Sequence, residues 1–402
     1  MKPLLTLLVL AAFTISCRHE NEEGPLQTVF TATALLDDGT DCWIVLRDNE
    51  TGDLIDARQL TSNIPEIFES TANIASGKLA VSFFKASQPT FMTASVYTDV
   101  AVGTSWTANY KTPVPQSRNF AGTYRLTITG IPSLWWLTVS DDRGKTLIDY
   151  PVEWTEEKIV VDAQVDVSRD GKHLVVVEPL EEDPKYMMIE NVEVDKPITV
   201  DYDNFLKFDR YVTATFPENT RVFSYVGSYL DATKETSYLL QGQYPAANDT
   251  YLFSHKTFGF LNSISNYEVS VSVGDWGYFS RGPAPAAIEF IDGENFSTSV
   301  TSIYDYQFSG SKPYVYTNAK FSNYDSERLY LVDYTSPNGN TKFFDAITPE
   351  IAAKYLINPD ALQYHYTLVT VVGRPYNDAL RSLFDPGFDS YTPFEQVVVA
   401  VK

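Results

Sequence analysis

Residues 42–56 read Cys42-Trp43-Ile44-Val45-Leu46-Arg47-Asp48 and continue through Gly52 to Leu54-Ile55-Asp56; residues 135–149 read Trp135-Trp136-Leu137-Thr138-Val139-Ser140-Asp141 and continue through Gly144 to Leu147-Ile148-Asp149. Trp43 and Trp136 stand 93 positions apart (136 − 43), as do Asp48 and Asp141, Leu54 and Leu147, and Asp56 and Asp149. Each copy is an apolar run, a short polar loop holding a glycine, and a second apolar run, the pattern of a strand, a hairpin and its return. The spacing is the length of a small β-sandwich module, so the chain is expected to be an array of such modules.

Side chains alternate across a strand, which divides the second copy into Trp135, Leu137 and Val139 on one face and Trp136, Thr138 and Ser140 on the other. The first set is apolar and is assigned to the core. The same parity turns Cys42, Ile44 and Leu46 inward and Trp43, Val45 and Arg47 outward. Two modules thus carry a tryptophan at an equivalent outer position. Sugar rings stack their C–H faces on aromatic rings, which makes Trp43 and Trp136 candidate ligand contacts; packing against a neighbouring module is the competing reading.

At 402 residues the chain exceeds one ordinary core and suits three or four domains. A formal charge of −22 opposes binding to nucleic acid or to an anionic membrane surface. Aromatic content of 14%, with 26 Tyr and 24 Phe, favours strands. The two cysteines are Cys17 and Cys42, and Cys42 occupies an apolar repeat position, so it reads as a buried, unreactive thiol.

Strand-like alternation and turn residues place four modules, at 26–112, 113–208, 209–293 and 294–402. Residues 30–34, 78–84 and 91–97 are further strands of the first, and residues 124–128, 173–177 and 186–189 repeat that order in the second. Between them, Pro113 and Pro115 mark a linker. In the third, residues 267–273 alternate cleanly, and residues 275–278 are expected to form a hairpin loop with Trp276 and Tyr278 at its tip, two more candidate ligand contacts. The fourth carries a strand at 328–332, closing strands at 366–372 and 396–401, and a short helix at 348–355 with Thr348 as N-cap and Pro349 in its first turn. The expected fold class is all-β, tandem β-sandwich modules with one short helix in the C-terminal module.

No local catalytic signature is present: there is no His-Glu-x-x-His, Gly-x-Ser-x-Gly or phosphate-binding glycine loop. His19, His173, His255 and His365 are scattered without metal-ligand spacing. Residues 37–41 and 48–53 have the oxygen density of calcium loops, but turn chemistry explains their Asp, Asn and Gly equally well. No catalytic residue, metal or cofactor is assigned. Trp106 and Trp154 are assigned to packing.

Lys2, an apolar run at 4–13 and a small Ser16 before Cys17 form a secretory signal, too short to span a bilayer. It resembles a bacterial lipoprotein signal (1–16), departing from the usual pattern at Thr14; the resemblance implies that Cys17 is lipidated. The acidic tether at 17–25 resembles the surface-export signal of Bacteroidota lipoproteins. Leu261, Tyr267 and the strand that follows resemble the tyrosine corner of fibronectin type III domains, and the paired module starts are similar to Ig-like or transthyretin-like surface modules. Together these resemble the accessory surface glycan-binding lipoproteins of Bacteroidota polysaccharide-uptake systems. That likeness implies a non-catalytic protein on the outer membrane, facing the exterior, that binds polysaccharide or glycan beside a transporter complex and meets membrane only through its lipid. An adhesin or pilus-associated structural protein would instead show an uncovered edge strand. A glycan-processing enzyme would show two facing carboxylates in a cleft.

Overall fold

The computed structural model describes residues 25–88, 90–112, 121–141, 144–149, 152–154, 159–167, 171–229, 236–243, 253–324, 327–339, 343–389 and 392–402. The repeat proves to be one of topology. In the first module, strand Gln27–Leu35 pairs antiparallel with Glu66–Ser70 and parallel with Thr104–Asn109. In the second, Gly122–Ile131 pairs antiparallel with Ile159–Val167 and parallel with Ile198–Asp201. The facing sheets also match. Phe91–Ala101, Lys78–Gln88, Asp41–Asp48 and Leu54–Leu60 follow one another in the first, and Lys185–Ile189, His173–Glu178, Trp136–Asp141 and Gly144–Lys145 in the second.

Cys42, Ile44 and Leu46 are fully buried in the first module's core, and Leu137 and Val139 in the second's, as strand parity requires. Burial pushes the Cys42 thiol up to about 12, so it stays protonated and unreactive. Trp135 departs from the expectation. The strand begins only at Trp136, and Leu134 takes the core place, so alternation cannot be carried one residue upstream. Trp135 is half-buried and meets Phe253 of the third module edge-on at 4.9 Å.

The third module contains the tyrosine corner: the Tyr267 hydroxyl donates to the Leu261 carbonyl at 2.8 Å and accepts from the Leu261 N–H at 2.9 Å. Its hairpin turn is shorter than expected. Val273 pairs directly with Trp276, leaving only Gly274 and Asp275 in the turn, with Gly274 at φ +54. Alternation therefore resumes at Trp276.

Modules three, four and one share a single sheet of twelve described strands. Trp276–Gly282 pairs antiparallel with the last strand, Phe394–Val401, and Leu329–Ser336 runs parallel to Phe91–Ala101. The last module in sequence thus lies between the third and the first in space. Val397 and Val399 enter the third core and Val401 the fourth, so these two cores lie on one face of the sheet. The first core lies on the other.

The expected helix is present at Pro349–Tyr355, with the Thr348 hydroxyl accepting from the Ile351 N–H at 3.3 Å and Leu356 closing it in the left-handed region. A second helix, Tyr376–Phe384, joins strands Gln363–Val372 and Phe394–Val401, and it packs on the first module. Phe384 stacks on Trp106 at 4.3 Å and on Phe83 at 5.5 Å, while the Tyr376 hydroxyl reaches the Thr98 carbonyl at 2.8 Å. Trp106 is a packing residue, as assigned; the Trp154 side chain lies outside the described residues.

Phe384→Ala is expected to loosen the first module although the residue belongs to the fourth, at a cost of about 3–5 kcal/mol. In a chain beginning at residue 25, Cys42 is the single thiol and reports the effect. Its labelling by an aromatic disulfide should be slow in the parent and much faster in the variant.

Candidate functional site

The four aromatic residues singled out from the sequence do not form a ligand platform. Trp276 and Tyr278 are 3% and 2% exposed and sit in the third core, because the two-residue turn returns both side chains to the inward face. This corrects their placement at a loop tip. Trp43 does point to the outer face, but that face is covered by the fourth module and the residue is 9% exposed. Its indole N–H donates to the Tyr355 hydroxyl at 3.3 Å, and the Lys354 ammonium lies 5.1 Å from its ring. Tyr355 in turn donates to the Asp41 carboxylate, which Lys354 meets at 3.3 Å. The Tyr355 hydroxyl, followed by Lys354, holds the Asp41 carboxyl below its ordinary range.

Trp136 is half-buried and lies opposite Glu178 on the outer face of the second module. Further along that strand the third module covers the face. The Ser140 hydroxyl accepts from the Leu239 N–H at 3.1 Å and donates to the Leu239 carbonyl at 2.9 Å. Leu174 and Val176 from the same face join the third core. The repeated tryptophan therefore marks, in both copies, the surface by which one module meets another. Cys17 lies outside the described residues.

Beside the Trp136 end of this junction, a cleft of about 800 Å³ opens between the second and third modules. Two charged residues lie at its floor. Glu178, at the end of strand His173–Glu178, and Lys256, in strand Phe253–Phe260, form an ion pair and are 3% and 7% exposed. The ammonium donates to Glu178 Oε2. The other oxygen, Oε1, is buried with no hydrogen-bond partner among the described residues. Trp135 and Phe253 form the aromatic wall. Glu181, Glu182 and Asp183 stand exposed at the rim. The Tyr211 hydroxyl fixes this rim segment by donating to the Pro184 carbonyl at 2.9 Å, while accepting from the Phe208 N–H at 3.0 Å.

Sequence reasoning passed over Glu178 and Lys256, which are 78 positions apart. One signal was present: Lys256 shares strand parity with the buried Phe258 and Phe260, and a lysine on an inward face needs a partner. The acidic turns behave as turn chemistry predicts. Asp48 Oδ1 accepts from the N–H groups of Glu50 and Thr51 at 2.8 and 3.0 Å, and the Thr40 N–H donates to the Asp37 carbonyl at 3.2 Å. Among the described residues no cluster of three or more His, Cys, Asp or Glu could hold a metal ion, and no helix is long and apolar enough to cross a membrane.

His173 is fully buried and shares a 2.9 Å hydrogen bond with the Tyr124 hydroxyl through Nδ1. Burial lowers its pKa, opposed by the nearby Asp141. No protein-family profile and no curated protein matches this chain. Fold and site define its class: an all-β, multi-module protein with a cleft at a module junction.

Lys256→Met leaves the Glu178 carboxylate buried without its cation and should cost about 3–5 kcal/mol in denaturant unfolding; Glu178→Leu/Lys256→Met should recover most of that loss. The folded state disfavours protonated His173, so the unfolded chain binds more protons below the ordinary histidine value. Stability is full above about pH 6.5 and declines as the pH falls below it. A urea midpoint measured between about pH 7 and 5 should show this decline, and His173→Gln should flatten it.

Proposed function

We propose that this protein is a non-catalytic, lipid-anchored protein of the outer membrane, facing the exterior, which binds glycan in the cleft between its second and third modules. The observation that carries the reading is the half-buried Trp135 set edge-on to Phe253 beside the buried Glu178–Lys256 pair. An apolar ring surface next to a few fixed polar groups is what a sugar ring requires, since each sugar has a C–H face and a rim of hydroxyls. The signal ending at Ser16 and the acidic tether support the anchor and the location. A tethered binder of this kind would hold polymer beside a transporter and raise its local concentration.

Other readings have less support. Strand donation to a pilus or adhesin partner needs an open edge. One edge strand of the twelve-stranded sheet, Thr236–Gln243, is met by Ser140, and the other, Leu54–Leu60, carries the ion-paired Asp56 and Arg58. A glycosidase needs two facing carboxylates. The buried carboxylate in this cleft faces an ammonium.

A polysaccharide array probed with the protein should give a defined set of positives. Trp135→Ala should weaken them by about tenfold or more, the loss of one stacking partner. Trp276→Ala should lower stability rather than affinity alone. Binding to no polysaccharide, or unchanged affinity in Trp135→Ala, would sink the proposal.

A further inference from the structure

We infer that the cleft selects a neutral sugar with free adjacent hydroxyls, which Glu178 reads as acceptor and Lys256 as donor; this rests on the glycan reading above. The first support is charge. The chain carries −22 overall, yet the cleft is lined by three lysines, Lys185, Lys207 and Lys256, against four carboxylates, Glu178 and the three rim acids. The site is nearly balanced, so recognition there falls to hydrogen bonds and stacking. A uronic or sulfated polymer would bring its anions to a buried carboxylate on an already acidic protein.

The second support is the unfinished hydrogen bonding at the floor. Glu178 Oε1 has no donor among the described residues, and a buried carboxylate oxygen without one is a site where an incoming donor gains most. Lys256 has three N–H groups and one described hydrogen bond, to Glu178 Oε2. A hydroxyl both donates and accepts. In an adjacent pair, one hydroxyl can donate to Glu178 while its neighbour accepts from Lys256, and both bonds are charge-assisted. The ring's C–H face is then left to Trp135 and Phe253. A protonated amino sugar would place a second cation beside Lys256, and an O-methylated sugar would have no hydrogen to give.

The test is titration calorimetry of the full chain in detergent micelles against neutral oligosaccharides (gluco-, manno- and galacto-configured), polygalacturonate oligomers, chitosan oligomers and the O-methylated form of whichever neutral sugar binds. The expected result is binding of a neutral sugar, with the charged oligomers and the O-methylated form weaker by about tenfold or more. Glu178→Gln/Lys256→Gln, which removes both charges and keeps a polar side chain at each position, should lower affinity by a similar factor with the fold retained by circular dichroism. Equal binding of the O-methylated sugar overturns the inference whatever the variant does. Preferred binding of polygalacturonate or chitosan that is lost in Trp135→Ala overturns it while leaving the glycan cleft intact. Binding of none overturns both.

Discussion

The structure depends on strand Asp41–Asp48 being buried on both faces. Cys42, Ile44 and Leu46 belong to the core of their own module, while Trp43 and Val45 belong to a second core built largely by residues 296–369. A sheet buried on one side would leave the Trp43 face wet, and the fourth module prevents this with helix Pro349–Tyr355 and the strands beside it. The second module repeats the solution with a different partner. Its Leu174 and Val176 enter the third core, and Ser140 bonds the backbone of Leu239. Neither of the first two modules is a free bead on a string.

The seams of the large sheet carry the same logic in the backbone. Phe394–Val401 satisfies the ladders of Trp276–Gly282 on one side and Gln363–Val372 on the other, and the parallel pairing of Leu329–Ser336 with Phe91–Ala101 closes the arrangement. Helix Tyr376–Phe384 adds an aromatic stack on Trp106 from a module far away in sequence. Sequence-distant pairing of this kind makes folding slow, because loop closure precedes the contacts that compensate it. It also fixes the modules relative to one another. A cleft between modules is useful for recognition only when its walls hold still, and the buried Glu178–Lys256 pair and the Ser140 bridge hold those of the second and third modules.

Much of the local structure was legible because strand periodicity is local. The core faces of Cys42–Leu46 and Leu137–Val139, the helix with its Thr348 cap, and the tyrosine corner at Tyr267 all follow from residues a few positions apart. The misreadings also have local causes. Reading 275–278 as the hairpin loop puts Trp276 and Tyr278 at its tip, whereas the turn consists of Gly274 and Asp275 and strand alternation resumes at Trp276. Trp135 was counted one residue too early in its strand. The helix Tyr376–Phe384 hides between strands because its buried residues, Tyr376, Leu380 and Phe384, are matched only by a groove in another module.

The sequence by itself determined that the chain is all-β and repeated, that Trp43 and Trp136 lie on outer faces, and which side of each repeated strand is apolar. These follow from alternation and spacing, which act over a few residues. Only the tertiary structure decided what those outer faces meet. Trp43 finds Tyr355 across 312 positions and Glu178 finds Lys256 across 78, and no local pattern encodes either encounter. Trp43 therefore lies where modules join, and Trp136 on the face of the second module that the third partly covers. The cleft follows from the way two such modules fit together, a matter of shape and paired charge that no single strand contains.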